Sequence, residues 1–519
     1  MKIERKKNAS RNMIFGVSLK IYQIVLPFLM RTAMVYSLGV EYLGLNSLFT
    51  SVLQVLNMAE LGVGAAMVYS MYRPIVEDDN DRICALMKLY RLYYRVIGAV
   101  VLTLGLILLP FIPNLIEGDI PADINIFWLY LLNLSATVLT YWLFAYRNSV
   151  LQAHQRDDVA SKVTLVTDTL KYGFQLAAIL LLHNYYFYVI AILVSQIIAN
   201  IATAVASRRM YPQFSPQGKM PKEQVREINH RIRDLFTSKV GGTIVLSADT
   251  IVVSAFLGLT ILAVYQNYYF ILTSITGIVA ILFKACMAGI GNSLIVETKE
   301  KNYGDFKKFT FITCWVAGFC TSCLLCLYQP FMRVWVGEDL LLDYAAVVCL
   351  CVYFFIFEIN QLLNTYKDAG GIWHEDRYRP LVTGLTNLAM NLVMVQFWGI
   401  YGVLLSTVFS MLLVGMPWIL QNLFSTLFER CWMKDYLGHL FLYTGVSVAA
   451  CTVTGVLCHL VNLGDWVTLI IRGIMCCVIP NAIFFLVYRK RPEFAQTVIL
   501  VDKLTGGRLK LAKRLKLKG

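Results

Sequence analysis

What this sequence lacks first is charge: of its 519 residues only 15% are Asp, Glu, Lys or Arg, against about 25% in an average soluble domain. With 58% hydrophobic residues and a mean hydropathy of +0.62, the apolar surface exceeds what a water-soluble core encloses, so the bilayer has to act as solvent. Basic residues are missing selectively as well. The stretches "IPNLIEGDIPAD" and "LHNYYF" contain neither Lys nor Arg, and "MRVWVGEDLLLD" has Arg333 alone. There is no G-x-x-x-x-G-K-[ST] loop, so ATP is not expected to be the direct energy source. The external loops contain no cysteine, which argues against structural disulfides. All thirteen cysteines but Cys84 lie at or after residue 286.

Apolar runs of about 20 residues, the length of a membrane helix, recur from residue 12 to residue 488. Fourteen spans are expected, centred near residues 25, 56, 102, 137, 172, 197, 246, 278, 320, 355, 388, 412, 450 and 477. The first is longer than a signal-peptide core and no small-residue cleavage site follows it, so a retained anchor is expected. Basic residues crowd the N-terminus (Lys2, Arg5, Lys6, Lys7, Arg11) and every second loop, from Arg73, Arg82, Lys88 and Arg91 to Arg208, Arg209, Lys219, Lys222 and Arg226. The positive-inside rule then places both termini in the cytoplasm, in agreement with an even number of spans. The net charge of +14 is thus mostly a topology signal. Spread over loops on one side, it does not form a nucleic-acid-binding patch.

The chain also overlays on itself. Leu38-Gly39, after the first span, corresponds to Leu257-Gly258 after the seventh, 219 residues on, and the same offset sets Lys20 on Lys239. "LQAHQRDDVASKV" parallels "GGIWHEDRYRPLV", with His154 and His374 220 apart. Six spans per half is even, so the repeat is parallel, a recurring design of secondary transporters. The expected fold class is an all-α integral membrane protein of fourteen transmembrane helices. Residues 1–210 form one six-helix lobe, 211–234 a cytoplasmic linker and 235–427 the second lobe. Two extra helices (428–488) and a basic cytoplasmic tail (489–519) follow. The tail "GGRLKLAKRLKLKG" is suited to the anionic inner leaflet, or is simply solvated. "CTSCLLC" (Cys320, Cys323, Cys326) has helical spacing and the look of a metal motif. Its sequence neighbours are apolar, with no His or carboxylate, and small buried hydrophobes are the expected role.

Four stretches, "AELGVGAAMVYSMYRPI", "QAHQRDDVASKV", "KDAGGIWHEDRYRPLV" and "NLAMNLVMVQFWGIYGVLLSTVFS", resemble the polysaccharide-transporter (Wzx-type flippase) branch of the MATE/flippase superfamily over essentially the whole chain. The resemblance implies two six-helix lobes around a central cavity opened alternately to each side of a bacterial inner membrane. It implies movement of a polyprenyl-pyrophosphate-linked oligosaccharide from the cytoplasmic to the outer leaflet, by a monomer working near a polymerase and glycosyltransferases. No cofactor and no metal are expected, beyond a coupled H+ or Na+.

Ionisable residues inside spans are costly and commonly face a cavity or a partner. Lys20 and Arg31 fall on one face of the first span, since eleven residues at 3.6 per turn return to within roughly 20°. The equivalent face of the seventh carries Lys239, Thr243, Thr250 and Ser254. Two such stripes suit a pyrophosphate, and paired packing charges are the alternative. Counting helical rise puts Glu60 at the depth of Lys20, so a Lys20–Glu60 pair is expected, either structural or as the group that takes a proton when substrate phosphate engages Lys20. Gly62, Gly64 and Ala66 next to it would admit a close helix neighbour. Asp249 is a candidate ion partner for Arg31. Asp168 and Lys171 are expected to neutralise each other, and Arg472 to snorkel. Glu358 heads "EINQLLNTY", in which Gln361 and Asn364 share its side of a helix, as a sugar-binding edge or a cation site. Asp157-Asp158 is taken as a solvated loop pair.

A flippase is the leading function. A multidrug or metabolite cation antiporter on the same fold would favour an acidic cavity, whereas the first span's stripe is basic. A membrane glycosyltransferase or polymerase needs sugar-handling groups in outer loops that here span only a few to a dozen residues and contain no acidic pair. An enzyme is therefore not expected.

Overall fold

The computed structural model describes the backbone of residues 5–118 and 120–504; the predicted membrane-surface tail lies outside them. Among the described residues the chain is helical, without strands. The helices are α1 (Arg5–Ser37), α2 (Val40–Leu56), α3 (Val63–Val76), α4 (Asn80–Leu108), α5 (Ile126–Trp142), α6 (Tyr146–Ala153), α7 (Asp157–Leu180) and α8 (Tyr185–Met210). They continue with α9 (Lys222–Val296), α10 (Lys299–Val336), α11 (Tyr344–Ala369), α12 (Arg379–Ser410), α13 (Met416–Thr426), α14 (Met433–His459), α15 (Asp465–Tyr488) and α16 (Pro492–Leu504). Every predicted span centre falls on helical backbone. Among the described residues nine segments are long and apolar enough to cross a membrane, or ten if the bent pair α5–α6 is one span.

Helix starts follow short polar side chains. Asp79 accepts from the Arg82 amide at 2.9 Å, Asn125 from the Phe127 amide at 3.1 Å, and Asp343 from the Ala346 amide at 3.0 Å. Each satisfies an amide that the first helical turn leaves open. Between α1 and α2 the chain turns at Gly39 (φ 123°), and α9 breaks at Gly258 (φ 87°, ψ 171°). Both conformations are reserved for glycine, so each member of the Leu-Gly match sits at a break between helical segments. A second pair shares the offset: Gly118 (φ 84°) and Gly337 (φ 88°), which the sequence comparison missed.

The chain forms two compact units, Met1–Gln266 and Asn267–Gly519. In the first, α1 lies along α7, with the Tyr22 and Thr169 hydroxyls 2.7 Å apart. α7 lies along α8, where the Ser195 hydroxyl donates to the Thr167 carbonyl at 3.2 Å. α4 meets α5 closely enough that a Cβ on Gly98 would lie 2.3 Å from the Trp142 ring. Small residues and interhelical hydrogen bonds of this kind hold helices together where lipid offers no hydrophobic drive. The first part of α9 packs with this unit: the Tyr93 hydroxyl donates to Asn229 at 2.6 Å, and the Glu117 amide to the Ser254 carbonyl at 3.0 Å.

In the second unit α10 runs against α11, α14 and α15. Phe306 stacks on Phe428 and Tyr436, with centroids 5.0 and 4.7 Å away. α12 doubles back at Gly399 (φ 52°, ψ −130°). Its arms are tied by Asn387, which donates to the Thr407 hydroxyl at 2.9 Å, and by Ser406, which hydrogen-bonds Asn391. A Cβ on Gly402 would meet the Met394 carbonyl at 2.2 Å, so the arms touch backbone to backbone.

Candidate functional site

The cationic stripes predicted on α1 and on the start of α9 lie within the first unit. Lys20 and Lys239 are exposed, and neither has an ion-pair partner among the described residues. Arg31 is half-buried, and its guanidinium donates to the Gln266 carbonyl at 3.4 Å. The Gln266 side chain in turn donates to the Thr250 hydroxyl at 2.8 Å. Gln266, which sequence reasoning passed over, thus joins two predicted residues from α1 and α9. Asp249 and Thr250 are buried, while Thr243 is half-buried and its hydroxyl returns to the Lys239 carbonyl at 3.4 Å. An exposed lysine on an otherwise apolar helix keeps its full charge available to an anion.

Glu60 corrects an expectation. Its carboxylate does not pair with Lys20; it accepts from the Tyr94 hydroxyl at 2.6 Å, and Tyr90 donates to Tyr94 at 2.8 Å. Counting helical rise assumed an unbroken helix. Instead α2 stops at Leu56, a tight 3-10 turn covers Asn57–Glu60, and Gly62 (φ 89°) restarts the chain as α3. That break aims Glu60 at α4, while α1 packs along α7. Tyr141 donates to Asn57 at 2.8 Å, so the break is lined by tyrosine hydroxyls. The i, i+4 pair Tyr90/Tyr94 on one helical face was the available signal. The close approach expected at Gly62 is present: a Cβ there would lie 2.7 Å from the Leu235 side chain.

Asp168 and Lys171 pair at 2.7 Å, as expected. Arg472 does more than snorkel, since it donates to the Val461 carbonyl at 2.9 Å just past the end of α14. Asp158, in the first turn of α7, is a second correction, whereas Asp157 is exposed as expected. Asp158 is fully buried and bound by Arg156 at 2.8 Å, with Lys162 at 3.7 Å. Its neighbour His154 is buried against Tyr211, with centroids 4.3 Å apart. Burial holds its imidazole below the ordinary 6.5, against the opposing pull of the Val150 carbonyl. The parallel corner before α12 holds Asp376, gripped by Arg379 at 2.6 and 2.8 Å and by Asn422 at 3.0 Å. His374, by contrast, is exposed.

Asn364 accepts from Arg379 at 2.7 Å, so it belongs to that corner. It does not share a polar edge with Glu358. Glu358 is 1% exposed, and its carboxyl faces the Thr276 hydroxyl without forming a well-aligned hydrogen bond. The Gln361 carbonyl oxygen, one turn on, has no hydrogen-bond partner among the described residues. Alongside, a cavity of about 1000 Å³ runs between α10, α11, α14 and α15, walled by Leu325, Val352, Phe355 and Val448 and edged by Arg333 and Arg472.

The model of a family described as polysaccharide biosynthesis protein matches residues 9–287, more than half of the chain. The chain belongs to the polysaccharide biosynthesis protein family. No curated protein matches its sequence. Among solved structures it is similar to the lipid II flippase MurJ in an inward closed conformation, with 15% identity over 92% of this chain and 99% of that one and a TM-score of 0.66. It is also similar to an inward-facing multidrug resistance MATE family transporter of the MOP superfamily, with 16% identity over 82% and 99% and a TM-score of 0.61. A third match is a MOP superfamily transporter from Pyrococcus furiosus, with 14% identity over 83% and 96% and a TM-score of 0.51. These likenesses establish the fold: a multi-pass membrane protein of MOP architecture whose structural relatives are transporters rather than enzymes.

Proposed function

We propose that this member of the family is a flippase that moves a polyprenyl-pyrophosphate-linked oligosaccharide across the bacterial inner membrane by alternating access. The observation that carries the reading is the pair of exposed lysines, Lys20 and Lys239, on equivalent helices of a chain assigned to polysaccharide biosynthesis. A pyrophosphate entering low dielectric needs opposite charge in reach. Fourteen spans with both termini cytoplasmic complete the proposal. Helical stretches of 60 and 48 residues would measure about 90 and 70 Å, against about 30 Å of hydrocarbon. Each is therefore assigned two crossings, hinged at Gly258 and Gly399. Glu358 is proposed as the H+ or Na+ coupling group, because a carboxylate so shielded from water requires a proton or a cation.

The test is reconstitution. Proteoliposomes loaded with a fluorescent polyprenyl-pyrophosphate saccharide should turn the protected half of the lipid accessible to an added glycosidase. Lys20→Ala combined with Lys239→Ala should abolish this while the protein still inserts. Unchanged flipping by the double variant would defeat the reading. The MATE likeness supports a second one, a cation antiporter. Uptake of a cationic dye against a proton gradient, with no lipid flipping, would select it.

A further inference from the structure

Three thiols from three helices meet inside the second unit. Cys326 on α10, Cys458 on α14 and Cys476 on α15 place their sulfurs within 4.8 Å of one another, all buried. Cys323, one turn before Cys326, and the thioether residue Met475 pack against them. We propose that Cys326, Cys458 and Cys476 form a thiolate site for a thiophilic d10 cation, Zn(II) or Cu(I).

The donor set is all sulfur, which selects soft metals over Mg or Ca. A tetrahedral Zn(II) with bonds of about 2.3 Å sets its sulfurs roughly 3.8 Å apart, so small rotamer shifts would close the set. Three thiols suffice for Cu(I), and Zn(II) would take water as a fourth ligand. Binding forms three metal–sulfur bonds and releases three thiol protons to water, leaving the site negatively charged. Arg472 answers that charge. It lies one turn before Cys476 on α15, within electrostatic reach of Cys326 and Cys458, and is held in place by the Val461 carbonyl at 2.9 Å. The cavity lined by Cys326 and Arg472 is edged by His459, Asn462 and Asp465, a polar mouth that gives an ion a way in. The sequence motif "CTSCLLC" supplied only one wall, and α14 and α15 supply the others.

The probe is Cd(II), added to full-length, reduced, chelator-stripped protein in detergent under anaerobic conditions. One equivalent should bind per chain with a thiolate-to-metal charge-transfer absorption. Affinity should fall at least about tenfold in Cys458→Ser and in Cys476→Ser, and hold in Cys431→Ser, whose thiol is exposed. Displacement by Zn(II) or by Cu(I) then tells the two sources apart. In wild-type protein, bound metal should also shield these three cysteines from alkylation, read by peptide mapping, so that a variant that fails to fold leaves the test intact. No saturable binding, metal-independent alkylation of the three, or a disulfide among them would overturn the site.

Discussion

The ionic groups proposed to act on substrate and on the coupling ion differ between the two units. In the first, Lys20 and Lys239 are exposed on their helices, and the half-buried Arg31 donates to the Gln266 carbonyl at 3.4 Å. In the second, Glu358, Asp376 and Arg379 are at most 5% exposed. A displayed charge on an apolar helix is costly in lipid and is available to a ligand. A hidden charge has to be paired, or neutralised by what it binds. The difference separates residues suited to reading a substrate from residues that hold the structure or carry an ion.

The largest effect expected from this contrast is at Asp376. Its removal in Asp376→Ala strands the buried Arg379 and should lower stability by about 3–5 kcal/mol, seen as a fall in the thermal midpoint of the detergent-solubilised protein by fluorescence-detected gel filtration. Asp158 tests whether hiding, rather than membership of a unit, decides the outcome. It too is fully buried, but Arg156 and Lys162 are 22% and 48% exposed and can turn to water once it is gone. Asp158→Ala should therefore cost about half as much as the Asp376 change, and equal losses would mean the two corners are not distinct. Glu358→Gln keeps the shape and polarity of a protonated carboxyl while removing its capacity to release a proton or hold a cation, so stability should move by less than about 1 kcal/mol. Export should nevertheless lose its dependence on the ion gradient, and persistence of that dependence would remove Glu358 from coupling. Lys20→Ala and Lys239→Ala should leave stability within about 0.5 kcal/mol while abolishing flipping in proteoliposomes.

The smallest effect is on pH. His154 has its imidazole held below 6.5 in the fold, so below that value the unfolded chain binds the proton that the folded chain resists. Stability should then decline gently as pH falls from about 6.5. His154→Gln should flatten this slope in pH-dependent melts, and an unchanged slope would place its origin elsewhere.

The helical architecture was legible because apolar runs of membrane length leave few choices, and the Gly39/Gly258 equivalence was legible because a left-handed turn demands glycine. Helical periodicity could propose the stripes on α1 and α9, but not that Lys239 would be exposed while Thr250 and Ser254 are buried. The partners of Glu60 could not be placed. Tyr94 sits on another helix, and the break at residues 57–62 that aims the carboxylate at it leaves hydropathy unchanged. Asp158 looked solvated because a pair of acids beside Arg156 is ordinarily a surface feature, and only the packing of Tyr211 and Phe214 over the corner makes it interior. Nor could sequence spacing bring Cys326 to Cys458 and Cys476, since more than a hundred residues separate Cys326 from Cys458.

The doubled-back α12 has a consequence for how the chain enters the membrane. A lone arm carrying Asn387 and Asn391 would present both amides to lipid, at a cost of several kcal/mol for groups that find no partner there. The opposing arm supplies Ser406 and Thr407, and the missing side chain at Gly402 lets the two arms close without an intervening layer. The two arms therefore satisfy each other's polar groups, and a membrane that receives them as a zipped hairpin never has to solvate either amide.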